Sequence, residues 1–204
     1  MSDSFKVFQI GFNRSGTRSI TNFFNDNGHR AVHYRKGKLA RTMERNLAKG
    51  NRSLFNGWGE FRDIVCFTDM EDIMNRPIGS QPILGYTYFK ELFEHFPDSK
   101  FIFNYRPLKG WINSRVRHFK GDYFLKWQQL TGKNPAQCIK LWIDHYTEHC
   151  ENVREFFADH PDKLLEIDIT NDNEAIGNSI INFLPELSWD KDIEFGHVGG
   201  IGKR

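Results

Sequence analysis

GFNRSGTRS, residues 11–19, follows directly on the apolar run FKVFQI at 5–10, and its reading decides the fold. The spacing Gly11-x-x-x-x-Gly16 is that of a loop leading from a strand into a helix, with its backbone N–H groups turned toward an anion. In the triphosphate-binding form of this loop, a lysine and then a serine or threonine come next. Here the two positions hold Thr17 and Arg18. The lysine that would reach the β- and γ-phosphates is absent, and so is the hydroxyl that would ligate magnesium. Asn13, Arg14, Ser15, Gly16, Thr17, Arg18 and Ser19 are therefore candidate phosphate-binding residues for a ligand other than a magnesium triphosphate. Ser15, Thr17 and Ser19 bring hydroxyl donors and Arg14 brings charge.

Outward from this loop, short apolar runs alternate with longer periodic ones. Strands are expected at 5–10, 29–34, 63–69, 100–105 and 163–169. Helices are expected at 17–27, 37–50, 83–97, 107–118, 134–161 and 171–184. In 37–50 the apolar residues Leu39, Met43 and Leu47 recur at helical spacing. Pro107 and Pro135 suit first helical turns. The alternation predicts an α/β fold, a parallel sheet flanked by helices on both faces, with 1–204 as one domain. Ligands of such sheets sit beyond the carboxyl ends of the strands. Residues 11–18, 68–72 and 106–114 all fall there.

The segment NYRPLKGWINSRV, 104–116, supplies a second motif. Arg106 ends a strand, and Ser114 follows eight residues later, two turns into a helix. A planar guanidinium suits a phosphate dianion, and the serine can donate a second bond.

Together the two motifs resemble the cytosolic and Golgi-type sulfotransferases that use 3′-phosphoadenosine 5′-phosphosulfate (PAPS). In that family a loop of the type K/R-x-G-T binds the 5′-phosphosulfate, and here it reads RSGT, Arg14 to Thr17. An Arg ending a later strand and a Ser eight residues on bind the 3′-phosphate, and here they are Arg106 and Ser114. The run YFKELFEHFPDSKFIFNYRPLKGWINS is similar to a small sulfotransferase-like branch. VREFFADHPDKLLEIDI and INFL are similar to the family's later elements. The resemblance implies a P-loop NTPase-like sulfotransferase fold and PAPS as donor. It also implies adenosine 3′,5′-bisphosphate as product and no metal. That is a ligand for a loop without the triphosphate lysine.

The resemblance also places a base just after the strand at 63–69, where many members carry histidine. This chain has Asp69. An ordinary Asp, with a pKa of about 3.9, is a weak base unless burial raises it. Asp69 can equally cap a helix over MEDIM. His33 and His118 are the alternative bases. Arg14 stands where many members have lysine; it can stabilise charge but not donate a proton. The family's late glycine-rich basic loop has a weak counterpart in GHVGGIGKR, 196–204, with Lys203 and Arg204 as cations. The aromatic and basic stretch 117–133 is read as part of an acceptor lid.

Composition narrows the rest. Hydrophobic residues make up 39% and aromatics 15%, enough for a packed core. Residues 30–52 carry eight Lys or Arg against one acid, and 101–120 carry five against none. Such segments can focus a positive field on an anion. Three widely spaced cysteines with no CxxC pair argue against a disulfide framework. With no basic-then-apolar leader and no membrane-length apolar run, a cytoplasmic location is expected. His145, His149 and Cys150 have metal-like spacing, but no further ligand completes a zinc site. No nucleic-acid partner is expected, and the acceptor is an unknown small molecule or glycan. Two other readings stand beside sulfuryl transfer: a kinase-like P-loop phosphotransferase, and a non-catalytic nucleotide-binding scaffold on the same fold.

Overall fold

A computed structural model describes residues 5–51, 54–55 and 61–196. Five strands form a wholly parallel sheet: β1 (Val7–Gln9), β2 (Ala31–His33), β3 (Cys66–Thr68), β6 (Lys100–Tyr105) and β7 (Leu164–Asp168). Their order is β2-β3-β1-β6-β7. A small antiparallel ribbon pairs β4 (Glu71–Asp72) with β5 (Ile83–Leu84). The helices among the described residues are α1 (Thr17–Asp26), α2 (Lys38–Ala48), α3 (Phe89–His95), α4 (Leu108–Val116), α5 (Asp122–Thr131), α6 (Pro135–Phe157) and α7 (Asn173–Phe183).

Alternation along the strands divides the core between the two faces. Val7, Cys66, Ile102 and Ile167 pack against Ile20, Phe23 and Phe24 of α1 and against Ile176 and Ile180 of α7. Phe8, Phe67, Phe101 and Phe103 point the other way, toward Leu39 and Met43 of α2, Leu92 of α3, Trp111 of α4 and Val153 and Phe157 of α6. With both faces covered, the strands are largely apolar and wholly buried over Val7–Gln9 and Cys66–Thr68, with Gln9 and Thr68 as buried polar residues at their carboxyl ends. Phe8 alone lies within 5.3–6.3 Å of the rings of Phe55, Phe67, Phe96 and Phe101. Much of the chain's phenylalanine is used in this layer.

The strand order places the functional end. From β1 the chain crosses outward to β2, returns to β3, and then crosses over β1 to β6. The carboxyl end of β1 is therefore the switch point of the sheet, flanked by the ends of β3 and β6. GFNRSG leaves at that point.

Two readings need correction. Residues 83–97 are not one helix. Ile83 and Leu84 pair with β4, Gly85–Thr87 form a 3-10 turn, and only Phe89–His95 is α-helical. Gly85 sits so close to the Met70 carbonyl that a side chain there would collide, which pins the segment against β4. Residues after Asp69 form β4 rather than a helix, so Asp69 caps nothing. The stretch 117–133 contains a helix, α5, that packs Tyr123, Trp127 and Leu130 into the core. The glycine-rich tail from His197 onward lies outside the described residues.

Candidate functional site

The loop after β1 is held from beneath by β6. The Phe12 N–H donates to the Asn104 carbonyl at 3.3 Å, and the Asn104 amide donates to the Ser15 carbonyl at 2.5 Å. Gln9 in turn donates to Asn104 at 2.5 Å. Gly11 passes so near the Asn104 backbone that a Cβ would clash, and Gly16 adopts φ 80 with Ile169 against it. Both positions therefore require glycine. Arg14 takes a left-handed φ of 63, rare for a residue with a side chain. α1 opens at Thr17, and no side chain among the described residues caps it. Its first-turn N–H groups and its positive dipole end face the loop, which is an anion-binding arrangement.

Arg14 and Ser114 meet. The Arg14 Nε donates to Ser114 Oγ at 3.2 Å, joining the loop to α4. Arg106, half-buried at the end of β6, lies beside them: Arg14 is a like charge that, after burial itself, lowers the Arg106 pKa. The Arg106 Nε is buried without a partner, and the Ser15 hydroxyl likewise. Arg18 is exposed at the rim. Crowded guanidiniums and orphaned donors around an uncapped helix start form a site with positive charge to spare and donors to fill.

Opposite the arginines, Asp69 leaves β3 in a left-handed conformation, φ 53, and its N–H donates to Gln9 at 2.8 Å. Its Oδ2 lies 3.2 Å from His33 Nε2, and that same nitrogen lies 3.1 Å from the Thr17 hydroxyl. Burial pushes the Asp69 carboxyl up to about 7, with Arg14, Arg18 and Arg115 pulling the other way. Burial, then the Arg18 charge, brings His33 down to about 4. Near neutrality the imidazole is thus uncharged, and the carboxyl exchanges its proton in the range where a general base works. His118 is depressed to about 4 by burial and by Arg14, Arg115 and Arg18. It is a neutral imidazole within the field of the same cations.

Arg14, Thr17, His33, Asp69, Arg106 and Ser114 thus converge, although they come from four segments of chain. Beneath them is a buried network of which sequence reasoning named Asn13, as a phosphate-binding candidate, and missed Glu71, Tyr123 and Arg115. Asn13 is buried, and its amide donates to Glu71 at 2.5 Å and to the Tyr123 hydroxyl at 3.0 Å. Its carbonyl accepts from Trp111 Nε1 at 3.0 Å. Arg115, counted among the basic residues of 101–120, is fully buried and contributes no surface charge. Its guanidinium carbon lies 4.4–5.2 Å from the ring centres of Trp142, Trp111, Trp127 and Tyr123. The basic segment at 30–52 is also partly neutralised, since Arg41 pairs with Asp72 and Arg30 with Asp63. The only signal for the buried network was position: Arg115 adjoins Ser114, and Glu71 stands two residues past Asp69.

The histidine pair of α6 has another use. His149 Nε2 bonds the Ile10 carbonyl at 2.8 Å and His145 Nε2 bonds the Tyr86 hydroxyl at 3.0 Å. Both rings brace the start of the loop. Among the described residues no group of three or more His, Cys, Asp or Glu is placed to hold a metal.

No curated protein matches the chain. A family model described as a sulfotransferase domain matches residues 6–136, which takes in the loop, Asp69, Arg106, Ser114 and the buried network beneath them. The match covers well over half of the sequence, and the chain belongs to this sulfotransferase family.

Proposed function

We propose that the protein transfers a sulfuryl group from PAPS to a hydroxyl or amine of a small-molecule or glycan acceptor, releasing adenosine 3′,5′-bisphosphate. The observation that carries this reading is the Arg14–Ser114 contact with Arg106 beside it, because it sets two anion-binding motifs side by side. The uncapped start of α1, the orphaned Ser15 hydroxyl and the unpaired Arg106 Nε fit the two phosphate ends of such a donor. The donor supplies an activated sulfuryl group that passes in line to the acceptor atom.

This chain's residues would supply position and charge. Asn13–Ser19 hold the 5′ end, while Arg106 and Ser114 hold the 3′-phosphate. Arg14 stabilises charge on the departing oxygen without giving up a proton. Asp69, raised by burial and oriented through Gln9 and His33, takes the proton from the acceptor. His33 orients Asp69 through Nε2, the same nitrogen that meets the Thr17 hydroxyl. The three cysteines are free and buried, and no helix among the described residues is long and apolar enough to cross a membrane.

Incubation of the purified protein with labelled PAPS and a panel of phenols, amines and sugars, in chelator, tests the proposal. Label is expected in at least one acceptor class and is expected to vanish in Arg14→Ala. Transfer that depends on magnesium, or label moving equally in Arg14→Ala, would contradict it.

A further inference from the structure

We propose that Glu71 is a positioning residue of the donor site: through Tyr123 and Arg115 it clamps Asn13, and hence the loop carrying Arg14, to the helix carrying Ser114. The inference rests on the donor reading above. It follows from how donors and acceptors must be shared among four buried side chains.

Arg115 Nη2 donates to the Tyr123 hydroxyl at 2.6 Å, and Asn13 Nδ2 donates to the same oxygen at 3.0 Å. Both are obligatory donors, so the phenol accepts twice and its one proton must go elsewhere. It goes to Glu71 Oε1 at 2.8 Å. That oxygen also takes the other Asn13 amide proton at 2.5 Å. Turning any member breaks one of these bonds in a core where Asn13 Oδ1 and Arg115 Nε and Nη1 already have no partner. The chain runs from the residue after Ser114 to the residue before Arg14. It thus connects the helix of the 3′-phosphate motif to the loop of the 5′ motif, with Trp111 fixing the Asn13 carbonyl from the same helix. Glu71 Oε2 has no partner, so the carboxyl has only one side committed.

The clamp carries charge. Arg115 of α4 is the cation facing Glu71, and Tyr123 of α5 bridges them. Asp69 and Asp72 adjoin it in the chain, and the phenols of Tyr86 and Tyr34 approach from their own turns. Burial chiefly, and Asp69 and Asp72 next, raise Glu71 to about 8, against the pull of Arg115 and the Tyr123 bond. Burial raises Asp69 and Glu71 together into the neutral to mildly alkaline range, where they lose their protons as a coupled pair. A second buried negative charge beneath the loop opposes an anionic ligand.

The test is calorimetric titration of the full chain with adenosine 3′,5′-bisphosphate from about pH 6 to about pH 9, in wild type, Glu71→Gln and Glu71→Ala. Wild-type affinity is expected to fall as pH rises through the range from about 7 to about 8, where the two carboxyls lose their protons as a coupled pair. Glu71→Gln keeps an acceptor oxygen, so it should bind within about threefold of wild type at neutral pH and show a smaller fall than wild type. Glu71→Ala should lose about tenfold or more throughout. A fall of wild-type size in Glu71→Gln, or wild-type affinity in Glu71→Ala, overturns the proposal. If Glu71→Ala fails to fold, the pH profile of Glu71→Gln decides alone. Wild type that binds no bisphosphate at any pH removes the donor reading itself, and the clamp's role with it, whereas a normal wild type with unaltered variants removes only the clamp.

Discussion

Arg14 and Ser114 stand one hundred residues apart in sequence and 3.2 Å apart in the folded chain, Nε to Oγ. The contact links the loop after β1 to the helix after β6, alongside the Trp111 bond to the Asn13 carbonyl. Because α1 has no side-chain cap and Arg106 Nε has no partner, the surroundings favour a ligand with anionic groups at two points.

On the proposed donor reading, Arg106 meets the 3′-phosphate alone. Arg106→Ala should weaken binding of adenosine 3′,5′-bisphosphate by about 1.5–3 kcal/mol, as for hydrogen bonds to a charged group. AMP, which lacks that phosphate, should bind almost as before. Parallel calorimetric titrations with the two nucleotides check this; equal losses would take Arg106 out of the role.

On the proposed mechanism, Asp69 sets the acid side of turnover. Its carboxyl is raised by burial to about 7, and only the ionised form accepts a proton. Turnover should therefore rise as pH increases through about 7 and level off above it. Asp69→Asn should lower kcat by roughly 10²–10⁴, the usual weight of a general base. A flat profile from acid to neutral pH would exclude Asp69 as the base.

The same shift has a consequence for stability. A carboxyl with a raised folded-state pKa holds its proton more tightly folded than unfolded. Stability is then greatest below the unfolded pKa of about 3.9 and declines as pH rises through the folded value. Asp69→Asn should narrow the gap in Tm between pH 5 and pH 8, roughly the window between those two values. Differential scanning calorimetry at the two pH values reads this, and an unchanged gap would mean the carboxyl is not buried as described.

Gly16 offers a test of the loop backbone. Its φ of 80 alone would strain an alanine by about 1–2 kcal/mol. The added Cβ would also press on Ile169. Gly16→Ala should thus cost at least that much in urea unfolding and should abolish bisphosphate binding. Gly28→Ala, with a similar φ of 79 but open space around it, should cost stability and leave binding intact.

The fold was legible because the parallel sheet is buried on both faces, so its strands read as mainly apolar runs such as KVFQI and KFIFNY. The loop was legible because its glycines are forced by close contact with Asn104 and Ile169, and such constraints leave a spacing. Residues 83–97 misled because their helical periodicity is local, whereas β5 is created by pairing with Glu71 and Asp72, a tertiary choice. The buried clamp was invisible for a related reason. Arg115 and Glu71 look like surface charges in a sequence, and only the packing of four aromatic rings around the guanidinium reveals them as interior. The rise in the Asp69 pKa, too, comes from burial that no local pattern encodes.

The most direct test of the two-ended donor site is calorimetric binding of adenosine 3′,5′-bisphosphate to the wild-type protein, beside AMP and Mg-ATP. The account predicts a clear preference for the bisphosphate, undiminished by chelator. Binding of Mg-ATP in preference to the bisphosphate, or of none of the three, would contradict it.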